Sequence, residues 1–274
     1  MFSVREVQRL AYERGVPEQM IERDYLLSWV MIAFAQDTAL QQLIAKGGTT
    51  LKKLYFADWR YSEDLDYTAA QMLEPESLRR DLEGATQNLD GLAGIECSLA
   101  SMEPRYDTQQ LRNITFYLDY IGHLRRTRCA RQLKLDVTFD ERVINPPIQR
   151  AVLHSYSDEP TPPVKVTSYS REEICAEKMR TLLQRTEPRD LYDVWRLLDE
   201  NADYLNIQTL RLTFEAKCAH RGLTVGSSAG MLSAARVARY RAAWDIRLGE
   251  QVTDLPPLDT VVRETRRHLR ELLV

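Results

Sequence analysis

Lys46-Gly47-Gly48-Thr49-Thr50-Leu51-Lys52-Lys53, followed shortly by Arg60-Tyr61-Ser62-Glu63-Asp64-Leu65-Asp66-Tyr67, decides the fold of this chain. Leu43 to Lys46 is a short apolar run of strand character, and Thr49 to Tyr55 has helical spacing. The two glycines therefore sit where a strand turns into a helix. Glycine permits positive φ and a close backbone approach. The first N–H groups of the helix that follows favour a phosphate, and Lys53 would add a positive charge. A plain turn explains Gly-Gly equally well, and the GxxxxGK[ST] spacing of a P-loop is absent.

Tyr61 to Thr68 alternates apolar and polar residues, which predicts a strand. Asp64 and Asp66 then share one face, with Leu65 and Tyr67 on the other. Two carboxylates so placed repel unless a cation lies between them. Mg²⁺ suits such a pair, because it takes one or two carboxylates and completes its shell with water and phosphate oxygens. A solvent-facing pair on an edge strand is the plain alternative. Asp136 lies in a second strand pattern, Leu133 to Phe139, on the opposite parity from Leu135 and Val137. A third acid there would hold a second ion and take a proton from an attacking hydroxyl. It also reads as an ordinary solvent-facing residue.

Outward from this centre, Ser3 to Glu6 reads as a capping box opening a helix that Gly15 to Pro17 stops. A second helix carries Met20, Ile21, Leu27, Val30, Met31 and Phe34 at helical spacing. Leu78 to Leu89 reads as a helix, Asn113 to Ile121 as a strand, and Val164 to Val166 as a last short strand. Prolines 146, 147, 160, 162 and 163 mark a loop-rich crossing. After Ser170 the pattern turns helical: 171–185, 190–201, 207–217, 231–248 and 258–272. The expected class is α+β: a mixed β-sheet core with flanking helices over 1–168, then a helical domain over 169–274.

Composition is that of an ordinary globular chain, with 44% hydrophobic and 28% charged residues among 274. The net charge of −3 excludes a uniformly basic nucleic-acid binder, yet His123 to Lys134 holds Arg125, Arg126, Arg128, Arg131 and Lys134 without an acid. The four cysteines are widely spaced and form no zinc pattern. The longest apolar run, Tyr25 to Ala35, is about half of the ~20 residues a membrane span needs. With no signal-like stretch at the N-terminus, a cytoplasmic protein without membrane association is expected. In 171–185, Cys175, Met179 and Leu182 form an apolar stripe with Lys178 beside it, so that lysine must snorkel or meet an anion. Asp190 and Asp193 favour the start of the next helix. Glu173 and Glu177 share a face and read as bonding to solvent or to a neighbouring arginine.

A Gly-Gly turn, a helix and a strand bearing Dx[DE] together resemble the DNA polymerase β-like nucleotidyltransferase superfamily, with a slightly longer spacing from Gly48 to Asp64 than is commonest. Within it the wording resembles the AbiEii/AbiGii-type nucleotidyltransferase toxins: GGTTLKK beside GGTxLxK, RYSEDLD beside R[FY]SEDxD, and ERDY at 22–25 beside EKDY. Glu172 to Arg180 is similar to the E[IL]xAEK segment, and Arg185 to Asp193 to the R…RDxYD segment. These matches run in order over about 22–198, and residues beyond 205 carry none.

The resemblance implies a metal-dependent nucleotidyltransferase, the toxin of a toxin–antitoxin or abortive-infection system. It would transfer an NMP from an NTP to an acceptor, the tRNA 3′ end or another RNA, with release of pyrophosphate. Asp64, Asp66 and Asp136 would hold Mg²⁺ or Mn²⁺, and Asp136 would also act as base. Gly47, Gly48, Thr49, Lys53, Ser62 and Lys178 would bind the nucleotide. Asp190 would orient Lys178 or the nucleotide, so that the helical domain contributes both to the site. Partners would be NTP, RNA and a cognate antitoxin. Arg125, Arg126, Arg128 and Arg131 could bind RNA phosphates, as could Arg236, Arg239 and Arg241; a solvated arginine face is the alternative. Two other functions remain open: a nucleotidyltransferase acting on a protein or a small molecule, and a nucleotide-binding partner protein without turnover.

Overall fold

The computed structural model describes residues 2–124, 131–225 and 228–273. Its contacts separate into two compact units, 1–141 with 147–168, and 142–146 with 169–274.

The first unit is built on a seven-stranded mixed sheet of order β3-β4-β5-β2-β1-β7-β6. The strands are β1 Leu43–Lys46, β2 Asp64–Ala69, β3 Glu96–Asp107, β4 Gln110–Ile121, β5 Arg131–Thr138, β6 Ile148–Ala151 and β7 Lys165–Ser168. Neighbours run antiparallel except for β1 with β7 and β2 with β5. Alternation along the central strands sorts their side chains onto two faces. Leu65, Tyr67, Ile114, Phe116, Leu118, Leu133, Leu135 and Val137 are buried in the core. Asp64, Asp66, Thr115, Lys134 and Asp136 occupy the alternate positions and are half-buried.

Four flanking helices supply the rest of this core: α1 Val4–Arg14, α2 Glu18–Gln36, α4 Pro75–Gln87 and α5 Leu89–Ala93. The Ser3 hydroxyl caps α1 by accepting from the Glu6 N–H at 3.3 Å. The reciprocal half of the capping box is absent, because the Glu6 carboxylate accepts instead from the N–H and hydroxyl of Ser157. Helix α2 is buried on almost every side, from Met20 to Phe34, and packs against β7 and α4. A helix apolar all round belongs in a core. Among the described residues no helix is long and apolar enough to cross a membrane.

The sheet departs from the sequence reading at the start of β2 and in the proline-rich crossing. β2 starts at Asp64 rather than Tyr61, because Arg60 to Ser62 form a buried coil. The proline-rich crossing contains a strand, β6, paired antiparallel with β7 at the sheet edge.

The second unit consists of α6 Arg171–Gln184, α7 Pro188–Leu198, α8 Ile207–His220, α9 Ser228–Met231, α10 Ala234–Leu248 and α11 Leu258–Leu272. Glu173 on α6 is fully buried and ion-paired with the equally buried Lys217 on α8 at 2.8 Å. The same carboxylate accepts from the N–H groups of Ile144 and Asn145. That bond set ties 142–146 to this unit and corrects the expectation that Glu173 faces solvent or an arginine.

Candidate functional site

The chain leaves β1 at Lys46 and enters a helical segment, α3 Gly47–Thr50, which widens into a π-helical turn over Leu51–Tyr55. Gly47 takes φ +78°, in the left-handed region. Lys46 is the register partner of Asp66 on β2. A Cβ at Gly47 would collide with Oδ2 of Asp66, and one at Gly48 would lie 2.5 Å from Nη2 of Arg60. Gly47, at positive φ, is required for the close approach of the Asp66 carboxylate, while a side chain at Gly48 would have to push the Arg60 guanidinium aside. The Thr49 hydroxyl donates to the Asp64 carbonyl at 2.5 Å, and the Thr50 hydroxyl to the Lys46 carbonyl at 2.8 Å. The turn is thus bonded on one side to β1 and on the other to β2. The Thr49 hydroxyl is thereby committed to β2.

β2 and β5 run parallel, with Asp64 opposite Lys134 and Asp66 opposite Asp136. Register partners project from the same face, so the structure gathers Asp64, Asp66 and Asp136 on one face beside the glycine turn. Oδ1 of Asp136 accepts from the Thr115 hydroxyl at 2.5 Å, and Oδ2 from the Lys134 ammonium at 2.5 Å. Burial opposes the Lys134 charge, but its bond to Asp136 and the fields of Asp136, Asp64 and Asp66 outweigh it, and the ammonium titrates above its ordinary value. Ser62 is buried in the coil that leads into β2.

Lys53 corrects the sequence reading. It is 2% exposed, and its ammonium binds Oδ2 of Asp24 on α2 at 2.5 Å. Tyr156 donates to the same oxygen at 2.5 Å. Burial penalises the Asp24 charge, yet Lys53 and Lys52 outweigh it and hold the carboxyl below its usual range. Lys53 is thus an internal anchor of the helical segment after Gly-Gly. Lys52 is also turned inward, donating to the carbonyls of Ala57 and Trp59.

This pair also explains the ERDY segment, for which sequence reasoning found no role. Glu22 accepts from the Leu124 N–H at 2.7 Å, and its Oε1 sits where a Cβ of Gly122 would be. Arg23 lies 3.8 Å from Glu63 in the segment leading to β2. Asp24 holds Lys53, and the Tyr25 hydroxyl donates to Asp158 at 2.6 Å. One turn of α2 thus fixes the glycine-turn helix, the approach to β2, the end of β4 and the 154–158 loop. Its polar residues inside a buried helix were the signal.

Within the second unit, Lys178 lies 3.1 Å from Asp190 and 2.8 Å from Asp193, and Arg185 lies 2.7 Å from Asp190. Burial disfavours the Asp190 charge, but Lys178 and Arg185 outweigh it and hold the carboxyl well below the usual carboxylate range. The anion that Lys178 was expected to meet is therefore supplied at least in part by α7. Arg236 donates to the carbonyls of Leu182, Leu183 and Arg185 and so caps the end of α6. Arg241 pairs with Asp259 at 2.5 Å. Arg236 is thus a structural side chain, while Arg239 and Arg241 are exposed. Arg125, Arg126 and Arg128 lie outside the described residues, as does the side chain of Arg131, whose backbone opens β5.

Among the described residues no three His, Cys, Asp or Glu side chains form a ready metal cage. The donor set still fits a hard divalent ion in the manner of Mg²⁺, which needs only one or two carboxylates when substrate oxygens complete its shell. The Lys134 ammonium binds Asp136 and is further favoured by the fields of Asp64 and Asp66.

Solved structures share this fold. The nucleotidyltransferase toxin MenT4 from Mycobacterium tuberculosis is similar with a TM-score of 0.68 and 18% identity, over 100% of this chain and 90% of that one. JHP933 from Helicobacter pylori is similar with a TM-score of 0.60 and 17% identity, over 94% of this chain and 93% of that one. No curated protein matches the chain in sequence. The family model described as "Nucleotidyl transferase AbiEii toxin, Type IV TA system" matches residues 29–265, which takes in the glycine turn, all three aspartates and the Lys178 cluster. The chain therefore belongs to the AbiEii family and is a nucleotidyltransferase toxin of a type IV toxin–antitoxin system.

Proposed function

We propose that the protein transfers an NMP from an NTP to the 3′ end of tRNA, with release of pyrophosphate, at the face formed by Gly47, Gly48, Asp64, Asp66 and Asp136. The observation that carries this is the register of β1, β2 and β5, which sets Asp66 between Asp136 and the glycine turn. The backbone N–H groups at the start of α3 bind phosphate oxygens, with Ser62 in the adjacent coil. Asp64 and Asp66 would hold Mg²⁺ or Mn²⁺, with Asp136 as the third acid beside them. Once bound, the ion would supply charge neutralisation for the triphosphate and the leaving pyrophosphate. The acceptor hydroxyl attacks the α-phosphorus. A new O–P bond forms, the bond to the pyrophosphate oxygen breaks, and Asp136 takes the hydroxyl proton. Thr115 and Lys134 hold Asp136 in place for that step. The Lys178–Asp190 pair is assigned to nucleotide binding, with Asp190 setting the lysine's position.

For an RNA acceptor, the supporting feature is the run Arg125, Arg126, Arg128 and Arg131. It leads directly into β5, whose Asp136 lies about 17 Å along the strand from Arg131 at ~3.3 Å per residue. Phosphates of a polynucleotide would be drawn to such a run. The partners are then NTP, tRNA and the cognate antitoxin of the system. The test is incubation with each labelled NTP, Mg²⁺, and total tRNA, protein or small-molecule fractions. Label at the tRNA 3′ end supports the proposal. Label in protein or a small acceptor redirects it, and NTP binding without any transfer refutes turnover.

A further inference from the structure

We propose that Lys134 takes the place of the second metal ion, so that this site works with a single divalent cation. The proposal rests on the reading of Asp64 and Asp66 as the cation-binding pair. In a two-metal site for in-line displacement, a third acid bridges to the second ion. Here Asp136 is that acid, and both its oxygens already have partners: Thr115 donates to Oδ1 and the Lys134 ammonium to Oδ2, each at 2.5 Å.

The arrangement is built by the strand. Lys134 and Asp136 are two residues apart on β5 and share a face, and Lys134 is the register partner of Asp64. The lysine therefore originates beside one carboxylate and reaches a second. Its side chain is 42% exposed and that of Asp136 is 19% exposed, so the ammonium enters from the open side, where a hydrated ion would enter. A second divalent cation seated on Oδ2 of Asp136 would compete with the Lys134 ammonium for that oxygen. A lysine is a compact point charge with three donors, so it can neutralise Asp136 without imposing a coordination geometry.

The experiment counts bound Mn²⁺ by electron paramagnetic resonance on the full chain, in wild type, Lys134→Arg, Lys134→Met and Asp64→Asn. One ion per chain is expected for wild type and Lys134→Arg, and two for Lys134→Met, since removing the ammonium frees Asp136. Two ions in wild type, or one in Lys134→Met, overturns the role of Lys134 while leaving Asp64 and Asp66 as the cation pair. Wild type that binds no more Mn²⁺ than Asp64→Asn overturns that underlying reading, and this proposal with it. If Lys134→Met does not fold, ammonium-detected NMR of wild type decides, with the Lys134 Nζ signal assigned by its loss in Lys134→Arg. The signal should persist at saturating Mg²⁺, and its displacement by Mg²⁺ overturns the proposal.

Discussion

The first unit contains two lysine–aspartate pairs of the same length and opposite character. Lys53 and Asp24 meet at 2.5 Å with side chains 3% and 2% exposed. Lys134 and Asp136 meet at 2.5 Å with side chains 42% and 19% exposed. Distance alone would rank them equal. The environment separates them: the first pair is sealed among Tyr156 and α2, so each charge depends on the other, while the second faces solvent and has further carboxylates beside it. The sealed pair fixes where the glycine-turn helix sits. The open pair leaves the Lys134 side chain 42% exposed. The same chemistry thus anchors the glycine-turn segment in one place and, under the proposed function, belongs to the reacting face on β5 in the other.

The largest expected effect breaks the sealed pair. Asp24→Ala strands the Lys53 charge in the core and should cost about 3–5 kcal/mol in urea unfolding. The double variant Asp24→Leu with Lys53→Met should recover much of that loss, because a buried pair replaced by apolar groups is often near neutral. Next is Asp190→Asn, with an expected loss of about 1–3 kcal/mol for a buried ion pair half removed. Its pH dependence has a defined sign. The folded-state pKa of Asp190 lies below its ordinary 3.8, so its contribution is present above that value and is lost as pH falls through the folded-state value. The Asn variant should accordingly show a shallower acid limb in thermal unfolding.

Gly47→Ala puts a Cβ against Asp66 at a positive φ. It should cost about 1–2 kcal/mol in stability and lower turnover at least roughly tenfold, because the carboxylate must move. Stability and initial rate measured on one preparation separate the two losses. The smallest stability effect belongs to the open pair: Lys134→Met should change unfolding by about 1 kcal/mol or less, as exposed pairs do. A loss comparable to that of Asp24→Ala would erase the contrast between the pairs.

The sequence was most legible where one local pattern decided the outcome. Alternation in Asp64-Leu65-Asp66-Tyr67 and in Lys134-Leu135-Asp136-Val137 identified the acids' faces, and the sheet's register brought those faces together. The α+β class, with a mixed sheet followed by a helical region, was readable from the change of period after Ser170. Lys53 was misread because its side-chain direction depends on α2, which lies far off in sequence and carries Asp24. Glu173 was misread for a similar reason: its partner Lys217 is on another helix. β6 escaped notice because four residues, Ile148 to Ala151, after two prolines show no usable period. Arg236 looked like surface charge, and only the end of α6 revealed its carbonyl partners.

The most direct test of the carboxylate face is single-turnover transfer of label from NTP to tRNA, comparing wild type with Asp64→Asn and Asp66→Asn. Thermal unfolding and NTP binding are measured on the same samples. The expected result is transfer by wild type and loss of at least roughly a thousandfold in each variant, with folding retained. Transfer by either folded variant at the wild-type rate would contradict the assignment of this face as the site of nucleotide transfer.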